Sequence, residues 1–141
     1  MFSSQLPDNE DYRVLIGVYA ARHFIKRFAK DYAGKRWDVT MISIEQDLRR
    51  VHALQSTQQV DELKRGSGCL LFKYDFAVAQ SGVSAKSSGN RCVVFLNTET
   101  HAQTILMLYG KTDLPKNQGE TAWILQTVKD EYPDIWLRIA Q

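Results

Sequence analysis

The spacing of apolar residues changes along the chain, and each change marks a predicted element. Residues 12–19, YRVLIGVY, are β-branched and aromatic, which is typical of a strand. Between residues 20 and 32 the apolar positions follow the i, i+3, i+4, i+7 pattern of an amphipathic helix, and Gly34 fits its C-terminal stop. Asp38 fits the N-cap of a second helix that ends near Leu54. The short connection predicts an antiparallel helical hairpin.

The second half of the chain alternates short apolar runs with polar connections. Residues 55–68 predict a polar linker with one helical turn at VDELK. Three strands are predicted after it, at 69–79, 91–96 and 103–110, with a Gly- and Ser-rich loop at 81–90. The last two strands are apolar on both faces, as central strands are. A C-terminal helix is predicted from Glu120 to Tyr132, with Pro133 ending it.

The order β-α-α-β-β-β-α predicts an α+β domain with an N-terminal strand, a helical hairpin on a small, mostly antiparallel sheet, and a C-terminal helix. We expect residues 12–141 to form this single domain and residues 1–11 to be a polar N-terminal tail. A chain of 141 residues is long enough to bury a core.

The composition excludes several classes of protein. Hydrophobic residues at 44% and charged residues at 24% are ordinary globular values. No apolar run approaches the roughly 18 residues of a membrane span, and the first residues are too polar for a signal peptide. The two cysteines and three histidines lack disulfide-framework or metal-ligand spacing. We therefore expect a soluble, cytoplasmic protein without a metal, a cofactor or a membrane partner.

Basic residues are concentrated on the first predicted helix, although the net charge is only +2. Arg22, Lys26 and Lys30 share one stripe at i, i+4, opposite the apolar stripe. Such a stripe suits contact with nucleic-acid phosphates, and it equally describes a solvated helix face. Lys86, in the Ser-rich loop, completes the candidate nucleic-acid-binding residues.

The predicted hairpins bring three polar side chains together. If the first hairpin turns at 81–83, Lys73 lies opposite Arg91; if the second turns within 98–101, Arg91 lies opposite Tyr109. Directly opposed residues point to the same face, so the three would form a row across the sheet. A slip of one residue in either turn would break that row.

Lys111, two residues past Tyr109, would extend the row on the same face. Such a row suits a phosphodiester, because Arg offers a planar fork and Lys a compact charge. Repulsion between Lys73 and Arg91 would lower the pKa of Lys73, although Asp75 could offset it. Cleavage of RNA by its own 2′-hydroxyl needs a base, an acid and positive charge, which Lys, Arg and Tyr can supply. The alternative is a solvated rim, with Tyr109 packed in the core.

Several segments, in order, resemble the RelE/ParE superfamily of type II toxin–antitoxin toxins. These are YAARHFIKRFAKDY, WDVTMISIEQDLRRV, GCLLFKYDF, SSGNRCVVFLN and TILMLYGKTDL, which together span most of residues 12–114. The tail NQGETAWILQTVKDEYPD resembles the C-terminal helix of a divergent branch. The resemblance implies a RelE-like fold.

The resemblance also implies an activity, which is cleavage of ribosome-bound mRNA by basic strand residues and a C-terminal aromatic residue. The matching positions are Lys73, Arg91 and Lys111, and Tyr109 is added from the register alone. Leu71 stands where RelE commonly has a second Lys, and Thr112 where it has an Arg. These departures leave a ParE-like toxin that poisons DNA gyrase, or a non-toxic interaction module, as alternatives.

Either toxin reading implies an antitoxin protein as partner, together with mRNA and the ribosome or, alternatively, DNA gyrase. Antitoxins commonly place a helix in an apolar groove of the toxin. The candidate docking residues are Trp37, Trp123 and Trp136, each of which could instead belong to the core.

Overall fold

The computed structural model of the chain describes residues 12–32, 34–51 and 59–140. A five-stranded sheet lies at its centre, with β1 to β5 at Arg13–Ile16, Val60–Gly66, Cys69–Asp75, Arg91–Asn97 and Ala102–Tyr109. The strands are arranged in the order β1-β5-β4-β3-β2. β1 runs parallel to β5, and the other pairs are antiparallel. The predicted α+β class with a mostly antiparallel sheet is confirmed.

The helices flank the sheet. The first, α1, consists of Val18–Ala20, a π-helical segment at Ala21–Ile25, and Lys26–Asp31. It is followed by α2 at Lys35–Arg49, a short α3 at Ala85–Ser88, α4 at Glu120–Glu131 and α5 at Pro133–Ala140. A 3₁₀ turn, Lys111–Asp113, follows β5. None of the helices in the described ranges is long and apolar enough to cross a membrane.

The helical hairpin of α1 and α2 covers one face of the sheet. Phe28 of α1 stacks on Trp37 of α2, with ring centroids 4.8 Å apart, and both rings contact Phe76 just after β3. Gln103 of β5 donates a 2.6 Å hydrogen bond to the Leu48 carbonyl of α2. Trp37 is 3% exposed, so it belongs to the core and is not a docking residue.

The C-terminal helices α4 and α5 cover the opposite face. Trp123 of α4 meets the ring of Tyr109 edge to face, with centroids 4.9 Å apart. Near the other end, Arg138 of α5 donates to the Sγ atom of Cys69 at 3.4 Å. Trp123 and Trp136 are half-buried against this core. The sheet therefore has two distinct faces, one for each helical layer.

Tyr132, just after α4, connects that layer to the start of α1. Leu106 is the extra residue of a bulge in β5, and its carbonyl accepts a 3.0 Å hydrogen bond from the Tyr132 hydroxyl. The same hydroxyl accepts a 3.1 Å bond from the Ala20 N–H. Gly17 permits this approach, because a Cβ there would lie 2.4 Å from the hydroxyl oxygen.

The sequence prediction missed one strand, β2, and two helices, the short α3 and α5. Residues 60–66 were predicted as linker with a helical turn, but they form β2, an edge strand with two acidic and two basic residues and a bulge between Glu62 and Lys64. The strand was missed because its residues are mostly polar. An edge strand in contact with water needs no apolar face, so it lacks the apolar pattern by which the other strands were predicted. Pro133 does end α4, yet it also begins α5, where its fixed φ suits a first helical position.

Two further boundaries differ from the prediction. Asp38 is not the N-cap of α2, because the helix begins at Lys35 after Gly34, whose φ of +81° favours glycine. The loop at 81–90 contains α3, capped by the Ser84 hydroxyl. The predicted helix end near Leu54 and the tail at 1–11 lie outside the described residues.

Candidate functional site

Strands β3, β4 and β5 bring Lys73, Arg91 and Tyr109 to the face covered by α4. Arg91 pairs with Tyr109, as the second hairpin predicted. The first hairpin prediction is wrong by two residues, because Arg91 pairs with Asp75 while Lys73 pairs with Val93. The connection between these strands contains α3 and is longer than a tight turn at 81–83. Since side chains alternate with a period of two, this shift leaves Lys73 on the predicted face.

Glu120, the first residue of α4, contacts all three of these side chains. Its carboxylate lies 3.3 Å from the Lys73 Nζ atom and 3.9 Å from the Arg91 Nε atom. It also accepts a short hydrogen bond from the Tyr109 hydroxyl. Arg91 is 2.9 Å from Asp75. We call these five residues, Lys73, Asp75, Arg91, Tyr109 and Glu120, the charge cluster.

The charge cluster is half-buried and electrically balanced. The side chains of Lys73 and Arg91 are 13% and 22% exposed, and Tyr109 is buried under Trp123. Two carboxylates balance the two bases, so the repulsion expected between opposed Lys73 and Arg91 is offset by Asp75 and Glu120. The positive charges of Lys73 and Arg91 are therefore neutralised within the protein by Asp75 and Glu120.

Burial and pairing move the pKa values of the cluster in different directions. Burial raises the pKa of Asp75, although Arg91 opposes this. Burial also raises the pKa of Glu120, but hydrogen bonds and charge from Tyr109, Lys73 and Arg91 outweigh it, and its pKa lies below the usual value. Burial and the bond to Glu120 raise the pKa of Tyr109 strongly. Tyr109 is thus a hydrogen-bond donor at neutral pH and is not an anion.

Lys111 does not join the cluster. β5 ends at Tyr109, so the alternation of side chains does not continue to Lys111, which is exposed in the 3₁₀ turn. Its side chain lies beside Gly89, where a Cβ would come within 2.4 Å of it. Lys86 is also exposed, at the end of α3. Both lysines therefore lie on the surface, Lys111 in the 3₁₀ turn and Lys86 in α3.

The basic stripe of α1, formed by Arg22, Lys26 and Lys30, is exposed throughout. Within the described part of the chain no carboxylate lies within 4 Å of these three side chains. Arg27, between them, is different, because it donates two hydrogen bonds to Asp113, one of 2.7 Å. Because α1 lies on the other face of the sheet, no direct contact joins the stripe to the charge cluster.

The described histidines, His23 and His101, and the two cysteines take no part in either region. His101 stacks on Tyr12, and His23 lies 4.2 Å from the Tyr19 ring. Both cysteines are buried and unpaired, as the sequence suggested, and His52 lies outside the described residues. Among residues 12–32, 34–51 and 59–140, no three His, Cys, Asp or Glu side chains are placed to hold a metal ion.

Sequence reasoning did not identify Glu120 as part of the site. The sequence prediction placed Glu120 only at the start of the C-terminal helix, where the helix dipole favours an acidic residue. Nothing in the sequence links it to Lys73, because they lie 47 positions apart and meet only when α4 docks on the sheet. Asp75 was named as a counter-charge, and the structure makes it the direct partner of Arg91.

The comparisons with known proteins show the fold. No protein-family model matches the sequence. No curated protein matches it either. The structure is similar to a chain of the crystal structure of the archaeal RelE–RelB complex from Pyrococcus horikoshii OT3, with a TM-score of 0.50 and 13% sequence identity. The match covers 73% of this chain and 98% of that chain. The chain therefore has a RelE-like fold.

Proposed function

We propose that this chain is the toxin of a toxin–antitoxin pair and cleaves mRNA on translating ribosomes at the charge cluster. The observation that supports cleavage is the convergence of Lys73, Arg91 and Tyr109 on one anion, the Glu120 carboxylate. Donors that hold a carboxylate also suit a phosphate, since both present charged oxygen acceptors. In this proposal Glu120 occupies the phosphate position until RNA displaces it.

The proposed reaction needs only the chain, the RNA and water. The 2′-oxygen attacks the adjacent phosphorus, and its proton passes to water. The bond to the 5′-oxygen of the next nucleotide breaks, and that oxygen takes a proton from the Lys73 ammonium. Arg91 neutralises the charge that develops on the phosphorus oxygens, and Tyr109 donates a hydrogen bond to them. The products are a 2′,3′-cyclic phosphate and a free 5′-hydroxyl.

The proposal includes an antitoxin partner. The similar archaeal fold occurs in a complex with RelB, and we infer an analogous protein partner for this chain. Trp123 and Trp136 are half-buried on the α4–α5 side and remain candidates for contact with it. Lys111 and the basic stripe are proposed to contact RNA or ribosomal phosphates outside the cluster.

The second candidate is a ParE-like toxin that traps DNA gyrase without hydrolysis. It is favoured by the closed state of the charge cluster, in which Tyr109 is buried and both bases are paired with carboxylates. If this candidate is correct, induction of the chain should produce trapped gyrase complexes and a DNA-damage response, while cellular mRNA stays intact. If the chain is instead a non-toxic interaction module, its induction should have no effect on growth.

Induction of the chain alone in a bacterium, followed by growth measurement and mapping of RNA ends, separates the candidates. We expect growth to stop with new mRNA ends inside reading frames. Arg91→Ala should abolish both effects, whereas Arg65→Ala, at an exposed arginine whose ion pair within the described ranges is with Glu62, should preserve them. A folded Arg91→Ala protein that stays fully toxic would exclude cleavage at this cluster.

A further inference from the structure

Two adjoining cavities form a groove at the end of the sheet where β4 begins and β5 ends. Their volumes are about 160 and 100 Å³, and both are lined by Tyr32 and Asn90. Pockets that hold whole ligands usually start at roughly 300 Å³, so this groove suits a smaller planar group. Asn90 immediately precedes Arg91, so their Cα atoms are about 3.8 Å apart. The groove therefore opens at the same end of the sheet as the charge cluster, on the face that α1 covers.

The backbone of Asn90 is fixed, but its side chain is unpaired. The Asn90 N–H donates to the Ser88 hydroxyl at 3.0 Å, and its carbonyl accepts from the Phe76 N–H at 3.2 Å. Over the described ranges, the side-chain amide has no hydrogen-bond partner, which leaves a donor and an acceptor available. Gly110 lies against it, since a Cβ at Gly110 would be 3.0 Å from the Asn90 Oδ1 atom.

Tyr32 supplies an aromatic wall that is held in place. The guanidinium of Arg36 lies 5.5 Å from the Tyr32 ring centroid, and the Phe28 ring lies nearly parallel to it at 6.2 Å. Arg36 is itself held by a hydrogen bond to the Ala79 carbonyl. The ring is half-buried and still lines both cavities, so it is accessible without rearrangement.

The charges around the groove favour a neutral group over a phosphate. Two carboxylates and one guanidinium line the larger cavity, those of Asp31, Asp113 and Arg27, and Asp113 accepts hydrogen bonds from Arg27 and the Gly110 N–H. Carboxylates repel a phosphate, but they accept hydrogen bonds from the amino groups of a base. An amide beside an aromatic ring is the combination by which proteins bind unpaired bases.

We propose that this groove is a base-binding subsite, which holds one unpaired base of a single-stranded RNA against Tyr32 and reads its edge with the Asn90 amide. The inference rests on the proposed RNA-cleaving function and names a specificity determinant for it. The scissile phosphate lies at Arg91, and the base of an adjoining nucleotide enters the groove. The chain then discriminates between RNA sequences through Asn90.

Binding of short RNAs with methylated 2′-hydroxyls tests the subsite apart from cleavage, because these RNAs cannot be cleaved. Fluorescence anisotropy would compare labelled oligo-A, oligo-U and oligo-C at one salt concentration. Tyr32→Ala should weaken binding about five- to hundredfold, the range for loss of one base–aromatic contact. Tyr32→Phe, which keeps the ring, should stay within about twofold of the wild type.

Asn90→Ala should instead reduce the differences between the three oligomers, since it removes the edge contact and leaves the ring. Gly110→Ala, whose extended backbone accepts alanine, should have the same effect by displacing the Asn90 amide. These two variants decide the question if Tyr32→Ala fails to fold. Unchanged affinity and unchanged base preference in the folded variants would overturn the subsite. Tyr32-dependent binding of these RNAs, together with no cleavage of the same sequences carrying free 2′-hydroxyls, would preserve the subsite and reject the proposed activity.

Discussion

The charge cluster and the basic stripe contain the same cationic residue types but present them differently. In the cluster, Lys73 and Arg91 are half-buried, and each is ion-paired with a carboxylate at 3.3 and 2.9 Å. In the stripe, Arg22, Lys26 and Lys30 are exposed, without an ion pair to any described residue. Buried pairs have defined geometry and resist screening, whereas exposed charges act through a field that salt weakens.

Because of this difference, we expect the charge cluster and the basic stripe to contribute to function in different ways. A group held within a few tenths of an ångström can stabilise a transition state, since stabilisation depends on position. Exposed lysines on a helix attract a polyanion but do not orient one bond of it. The comparison therefore predicts that the cluster controls the rate of the reaction and the stability of the fold, and that the stripe controls association.

The sharpest test compares Arg91→Ala with the triple variant Arg22→Ala, Lys26→Ala, Lys30→Ala in an RNA cleavage assay. At saturating RNA, Arg91→Ala should lower the rate about 100-fold or more, the usual loss for a transition-state donor. The triple variant should stay within about twofold, because saturation removes any effect on association. Equal losses in both would contradict the division of roles.

Tyr109→Phe tests whether the cluster also stabilises the fold. Because the pKa of Tyr109 is raised in the folded state, its contribution to stability is fully present below the ordinary value near 10 and is lost as pH rises above it. This one group should lower the free energy of unfolding by about 1.4 kcal/mol per pH unit above pH 10.

Urea denaturation between neutral pH and pH 11 would measure that decline. Tyr109→Phe should make the decline shallower, although other tyrosines with raised pKa values retain part of it. At neutral pH the same variant should lose about 1 to 3 kcal/mol, because its hydroxyl donates to a charged group. An unchanged slope would mean that the hydroxyl is exposed in solution.

Glu120→Gln tests whether the internal anion competes with RNA. Removing one negative charge leaves Lys73 and Arg91 partly unpaired, so affinity for uncleavable RNA should rise about twofold to fivefold, a change of about one ion-pair contribution. Glu45→Gln is the matched control, because Glu45 is half-exposed on α2 and its ion pair, among the residues that the structure describes, is with Arg49. Lower affinity in Glu120→Gln would indicate that the carboxylate itself contributes to binding.

The smallest effect should come from single charges of the stripe. Each of Arg22→Ala, Lys26→Ala and Lys30→Ala should reduce the dependence of log affinity on log salt by about 0.7 if the side chain contacts one phosphate of a single strand. Stability should change by less than about 0.5 kcal/mol, as at other exposed positions. Measuring the RNA affinity of each single variant and of the triple variant across a salt series checks the change in the salt dependence. It also checks whether the three single changes add up to that of the triple variant.

Periodic elements were predictable, and the site was predictable only in part. The spacing of Ala20, Phe24 and Phe28 determines a buried helix face, and the alternation around Arg91 and Tyr109 determines a shared sheet face. The pairing of Arg91 with Lys73 was wrong by two residues because the β3–β4 connection is not a tight turn. The cluster survived that error, since an even shift keeps every side chain on its face.

The sequence by itself determined the order of most elements and the shared side of the sheet on which Lys73, Arg91 and Tyr109 lie, because these follow from local periodicity. Only the tertiary structure decided that Glu120 enters the cluster and that Asn90 and Tyr32 share a groove. Each of these depends on how a distant segment docks. Docking is set by the packing of the whole core, and no short stretch of sequence contains that information.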